Sequence, residues 1–164
     1  MLGDPNKFSI LIDVIKEWNL DDAFLNGVLL ISVDAEIFPK EIIVATLRCE
    51  VPWLKTSLKN IPIDKRLFNI PKQSAFAEIF NITFPEDDST SNDYRFDMSP
   101  PSLSDHHCFL FAVSDGAQVR IMAAKLKYQI DISEYELSDI DVAEAFISIN
   151  ELQTILSGLD ALGL

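Results

Sequence analysis

Two histidines stand side by side in this chain, His106 and His107, with a cysteine directly after them at Cys108. Residue types alone would allow metal binding or nucleophilic catalysis there. A zinc site needs three or four ligands, usually in pairs such as Cys-x-x-Cys or His-Glu-x-x-His, and neither pattern occurs. Neighbouring residues of a strand point to opposite faces, so His106 and His107 would not converge on one ion, and Cys108 would not reach His107 across the pleat. The triplet reads as structural residues at a strand start. Carboxylates are the other candidates, 26 in all, but a glycosidase pair is defined by its separation across a cleft, which a sequence does not carry. The 11 Phe against 2 Trp and 3 Tyr read as core rather than as a sugar-stacking platform. With 5 Gly and no Gly-x-Gly-x-x-Gly or Gly-Lys-Ser/Thr, nucleotide binding has no support. No catalytic residue, metal or cofactor is expected.

The acids carry information through their placement. Residues 1–82 hold 11 acids and 9 bases, whereas residues 83–164 hold 15 acids and 4 bases, so most of the net charge of -13 lies in the second half. There Asp131, Glu134, Glu136, Asp139, Asp141 and Glu144 follow one another with no base between them. A second acidic segment, Glu86 to Asp97, contains Asp87, Asp88 and Asp93. A charge run is usually a solvated face. Here the asymmetry, the missing bases and the lack of catalytic groups elsewhere favour a surface that steers a cationic partner and pairs with its Lys and Arg. Calcium is a poorer fit, because the stretch lacks the Asp-x-Asp-x-Asp-Gly spacing of a calcium loop. Nucleic acid would be repelled at long range.

These acids need a scaffold, and 164 residues that are 48% hydrophobic suffice for one domain with its own core. The predicted class is α+β, a largely antiparallel sheet packed by a C-terminal helix and one or two short helices. Phe8 to Ile15 reads as a strand or a short buried helix. Val28 to Val33 with Ile37-Phe38-Pro39 reads as a strand and its return, and Asn26-Gly27 as a turn. The β-branched stretch Ile42 to Val51 suggests another strand, followed by a short helix from Pro52 to Lys59 with proline at its first position. Ala75 to Phe80 suggests a further helical turn. A long, acidic, turn-rich loop spans about 85–105. Cys108 to Val113 and Val119 to Tyr128 form a hairpin around Asp115-Gly116, and Gln129 to Ile132 would continue its second strand past a bulge. Asp141 to Ile149 is a strand candidate. Asn150 would cap a terminal helix, Glu151 to Leu162, with Leu152, Ile155, Leu156 and Leu159 on one face. Trp18 and Trp53 read as core or edge packing. The βα alternation of a parallel doubly wound sheet is missing.

No apolar run is long enough for a membrane span, and the first residues lack the basic and apolar segments of a secretory signal. The two cysteines, Cys49 and Cys108, each lie in an apolar segment and read as buried, reduced thiols of a cytoplasmic protein.

The opening of the chain adds a family likeness. Gly3-Asp4-Pro5-Asn6-Lys7-Phe8, Ile12-Asp13, Glu17-Trp18, Phe24-Leu25-Asn26-Gly27 and Phe38-Pro39-Lys40, in that order, resemble the start of the immunity protein 42 family. Its members are small bacterial proteins encoded beside polymorphic toxins, including those of contact-dependent growth inhibition. The resemblance implies a cytoplasmic protein without a cofactor that neutralises a cognate toxin domain by stoichiometric, 1:1 binding. The expected toxin is a nuclease whose basic nucleic-acid site an acidic inhibitor can cover. On that reading Asp131, Glu134, Glu136, Asp139 and Asp141 are the toxin-binding candidates, with Asp87, Asp88 and Asp93 behind them, through charge-assisted hydrogen bonds. Tyr94, Tyr135 and Phe96 are candidate apolar anchors. Two other readings stay open: a small hydrolase using carboxylates or His107, and an acidic adaptor or nucleic-acid mimic.

Overall fold

The computed structural model describes residues 1–20, 24–86, 89–131 and 133–164. The first strands are β1 (Leu2–Asp4), β2 (Phe8–Val14), β3 (Asn26–Val33), β4 (Glu36–Phe38) and β5 (Ala45–Thr46). They form one five-stranded antiparallel sheet in the order β1-β2-β3-β4, with β5 also paired to β3. Three helices follow, α1 (Leu47–Lys59), α2 (Lys65–Asn69) and α3 (Lys72–Thr83), and then a 3-10 turn (Tyr94–Phe96) and the short α4 (Pro101–Ser104). Strands β6 (Cys108–Ser114), β7 (Gln118–Lys125) and β10 (Ala143–Ser148) make a three-stranded sheet in the order β10-β7-β6. Between β7 and β10 a separate ribbon pairs β8 (Lys127–Gln129) with β9 (Glu134–Glu136), and α5 (Ile149–Ala161) follows β10. The class is α+β, as the sequence predicts.

The three-stranded sheet is covered on both faces, which explains why every residue of β6 is buried. Side chains alternate along a strand, so Cys108, Leu110 and Ala112 enter one core and Phe109, Phe111 and Val113 the other. The first core also takes Phe8, Ile10, Leu29 and Ile31 from the larger sheet, Leu47, Val51, Leu54 and Leu58 from α1, and Leu152, Ile155, Leu156 and Leu159 from α5. The second is closed by Leu67 and Phe68 of α2 and Phe76, Ile79 and Phe80 of α3.

Arg120, in the middle of β7, is 2% exposed. Its Nη1 donates to the carbonyls of Leu67 (2.8 Å), Phe68 (3.0 Å) and Ile70 (2.8 Å) at the end of α2, and its Nε and Nη2 both reach Glu144 Oε1 at 2.6 Å. One guanidinium thus satisfies carbonyls that the end of a helix leaves without partners and ties them to β10.

Several local expectations give way to tertiary context. The segment Ile42 to Val51 is not one strand: only Ala45–Thr46 is extended, and α1 begins at Leu47 with Pro52 inside it. The 4-3-4 spacing of Leu47, Val51, Leu54 and Leu58 outweighs β-branching there. Glu50 helps to set the start, because its carboxylate accepts from the Thr46 backbone N–H (2.9 Å) and from that of Ser102 (3.0 Å), joining the first turn of α1 to α4. Asn26-Gly27 opens β3 rather than forming a turn, and a Cβ at Gly27 would collide with the Asp13 carbonyl of β2 and lie 2.6 Å from Leu47 Cδ1. Gln129 belongs to the ribbon instead of extending β7, and Ile132 lies outside the described residues. The terminal helix starts at Ile149 and is capped by Ser148, not Asn150, in a capping box with Glu151. Trp18 and Trp53 are 39% and 38% exposed, so neither is a core residue.

Two measurements check these assignments. Arg120→Ala leaves Glu144 and three carbonyls without their donor, and urea denaturation should show a loss of about 3–5 kcal/mol, with Glu144→Gln milder because its amide oxygen still accepts. The Glu151 carboxyl is held down to about 2, chiefly by its hydrogen bond from Lys7 and then by those from Ser148. A depressed folded value stabilises above the ordinary 4.5 and is lost as pH falls towards about 2. The difference in melting temperature between the wild type and Glu151→Gln should therefore be full near neutral pH, shrink below pH about 4.5 and shrink with added salt.

Candidate functional site

A concavity of about 650 Å³ lies where the C-terminal end of α3, the segment after it, β6 and the β8–β9 ribbon meet. Its wall is aromatic. Phe80 in the last turn of α3 and Phe84 at its C-cap stand four residues apart, and Phe109 and Tyr135 face them from β6 and β9. Centroid separations are 5.1 Å for Phe80–Phe109, 5.4 Å for Phe80–Tyr135, 5.6 Å for Phe84–Phe109 and 5.2 Å for Phe109–Tyr135. Edge-to-face contacts of this kind fix ring orientations. Glu86, Asp97, Asp105 and Glu134 also line the groove, and no Lys, Arg or His does.

Backbone pairing holds the chain between α3 and β6 in place. The Asp93 N–H donates to the Ile82 carbonyl (3.1 Å), and the Met98 N–H to that of Leu110 (2.8 Å). Ser99 Oγ accepts from the Leu110 N–H (2.9 Å). Asp97 is thereby fixed beside β6, where its carboxylate accepts from the Ser99 N–H (2.9 Å), and burial pushes its carboxyl above the usual range. On the other side, Tyr135 Oη lies 3.0 Å from His107 Nδ1, and the rings of His107 and Tyr128 stack at 5.7 Å. Burial, then Tyr128 and Asp105, push the Tyr135 phenol up.

The structure brings parts of the two acidic segments together and separates others. Glu134 lines the groove with Glu86 and Asp97. Asp131 and Asp141 are exposed. Asp139 adopts a left-handed backbone (φ 52°), open to Asp at modest cost, and borders a smaller hollow with Lys125, Lys127 and Glu136. Glu136 is engaged within the chain, with Lys127 at 3.9 Å and the Ser138 hydroxyl donating to it. Asp93 caps the 3-10 turn and pairs with Arg95 at 2.7 Å. Asp87 and Asp88 lie outside the described residues. Of the anchor candidates, Tyr94 is 57% exposed and Tyr135 half-buried, while Phe96 is a core residue. Sequence reasoning named Tyr135 but missed Asp105, Phe80, Phe84 and Phe109. The i, i+4 spacing of Phe80 and Phe84 was the one available signal, because nothing local relates α3 to β9.

The histidines have quiet surroundings. The partner of the His107 ring nitrogen is a phenol, and His106 Nδ1 lies 3.4 Å from Glu41 at the surface. Among the described residues no three of His, Cys, Asp or Glu are grouped so as to hold a metal ion, and no helix is long and apolar enough to cross a membrane.

The model of the family described as immunity protein 42 matches residues 1–161, nearly the whole chain. The chain belongs to the immunity protein 42 family. An immunity protein acts by binding a cognate toxin. A crystal structure of CdiI from Burkholderia dolosa has a similar fold, with a TM-score of 0.78 over 98% of each chain at 24% sequence identity. No curated protein gives a significant sequence match.

The cysteines of this immunity protein differ from the expected buried pair. Cys108 is buried and its thiol pushed up by burial, whereas Cys49 is exposed on α1. A thiol reagent should modify one equivalent rapidly in native protein and two in denaturant, and Cys49→Ser should abolish the rapid phase.

Proposed function

We propose that this immunity protein works in the cytoplasm, without catalysis, by forming a tight 1:1 complex with a toxin domain of a contact-dependent growth inhibition system. The toxin is taken to be a nuclease with a basic nucleic-acid site. The observation that carries the reading is the match of the immunity protein 42 model to 1–161. The likeness to a CdiI structure supports the contact-dependent growth inhibition system, and the charge of the second half of the chain supports a basic partner. Asp131, Glu134, Asp139 and Asp141 carry the steering field, joined by Glu136 and by Asp87, Asp88 and Asp93.

A basic nuclease face and this surface would attract over about a Debye length and exclude RNA or DNA by like charge. The acids near the ribbon would act on the encounter, and a smaller buried set would hold the complex.

The test is co-expression with the toxin domain encoded beside this chain's gene. A co-purifying complex and restored growth are expected, and neither would be seen if the reading were wrong. In stopped-flow measurements, replacing Asp131, Glu134, Glu136, Asp139 and Asp141 by their amides should slow association about 10-fold or more at low salt and flatten its salt dependence. Unchanged on-rates would remove the steering role.

A further inference from the structure

We infer that the aromatic groove between α3, β6 and the β8–β9 ribbon is the socket for an arginine side chain of the toxin. The inference rests on the toxin-binding reading above and names the chemistry of the contact. Four carboxylates line the groove, Glu86, Asp97, Asp105 and Glu134, and no cation does. Among the described residues none of the four has an ion pair, although nine of the 13 Lys and Arg are paired within the chain. The remaining bases, Lys16, Arg48, Lys65 and Lys72, do not line it. The fold has thus used its cations elsewhere and left this concavity negative.

The shape selects among cations. The carboxylates are not grouped closely enough to hold a metal ion, so a small ion is the wrong size. An arginine presents a wide, planar, weakly hydrated fork that can reach carboxylates on different walls and stack against aromatic rings, here the partly exposed Phe84 and Tyr135. A lysine ammonium would satisfy one wall and lose more hydration. The Asp97 carboxylate is fixed by the Ser99 N–H at the base of the 97–99 segment, already partly desolvated and positioned. Pairing there needs little reorganisation.

The experiment has two arms. In the first, Asp97→Asn with Glu134→Gln keeps hydrogen-bond acceptors in place and should weaken binding of the cognate toxin domain at least 10-fold in calorimetry, while Glu17→Gln, an acid that does not line the groove, changes it less than about 2-fold. In the second, N-acetyl-arginine amide is titrated into the free immunity protein. It should shift the backbone amide signals of residues 97, 105 and 134 in two-dimensional NMR more than N-acetyl-lysine amide does, and the double variant should lose those shifts. A toxin complex whose affinity ignores the double variant overturns the socket and leaves the immunity reading standing. Absence of arginine shifts at the groove also overturns it. A wild-type protein that binds arginine amide at the groove but no toxin overturns the toxin-binding reading, and with it the toxin as the source of the arginine.

Discussion

The guanidinium of Arg120 is buried in the sheet that both cores share, and most of the architecture can be traced outward from it. Burying a cation in a strand interior is costly unless every donor is used. Here the cost is met by Glu144 on the next strand and by three carbonyls at the end of α2. That arrangement fixes α2 against β7, and α2 leads through Pro71 into α3, whose last turn and C-cap supply Phe80 and Phe84 to the groove. A buried charge pair therefore helps to place the helix that leads into one wall of the groove.

The same sheet accounts for the second wall. Because β6 is buried on both faces, its odd-numbered residues are free to form an aromatic layer, and Phe109 and Phe111 do so beneath α3. The chain between α3 and β6 has acids at its ends and Pro100-Pro101 near its middle, yet it is pinned to β6 through Met98 and Ser99 and to α1 through Glu50 and Ser102. Asp93, Asp97 and Asp105 are thus carried on a backbone with few alternatives.

What was legible in the sequence followed from periodicity and local chemistry. The Asp115-Gly116 hairpin, the return at Ile37-Phe38 and the stripe on α5 all have short-range signatures, and all three occur. The start of α1 was illegible because Val51 and its β-branched neighbours suit a strand equally well, and the deciding contact, Glu50 to Ser102, spans 52 residues. The groove was half legible. Its sign could be read from the charge asymmetry, and Glu134 from the acidic run. Its aromatic wall requires knowing that residues near 80, 109 and 135 meet. Asp93 shows the converse, since a plain acidic position in the sequence is committed to capping and to Arg95 in the fold.

The β8–β9 ribbon hangs from the second core by Leu126 at one end and by Ile140 and Val142 at the other, and all three residues of β8 are exposed. Its rim can consequently exchange one side chain for another without disturbing the buried sheet. If an immunity protein has to track a changing toxin, such an appendage lets the exposed rim vary apart from the frame. Divergence between relatives should concentrate on the ribbon while Arg120, Glu144 and the β6 aromatics stay fixed.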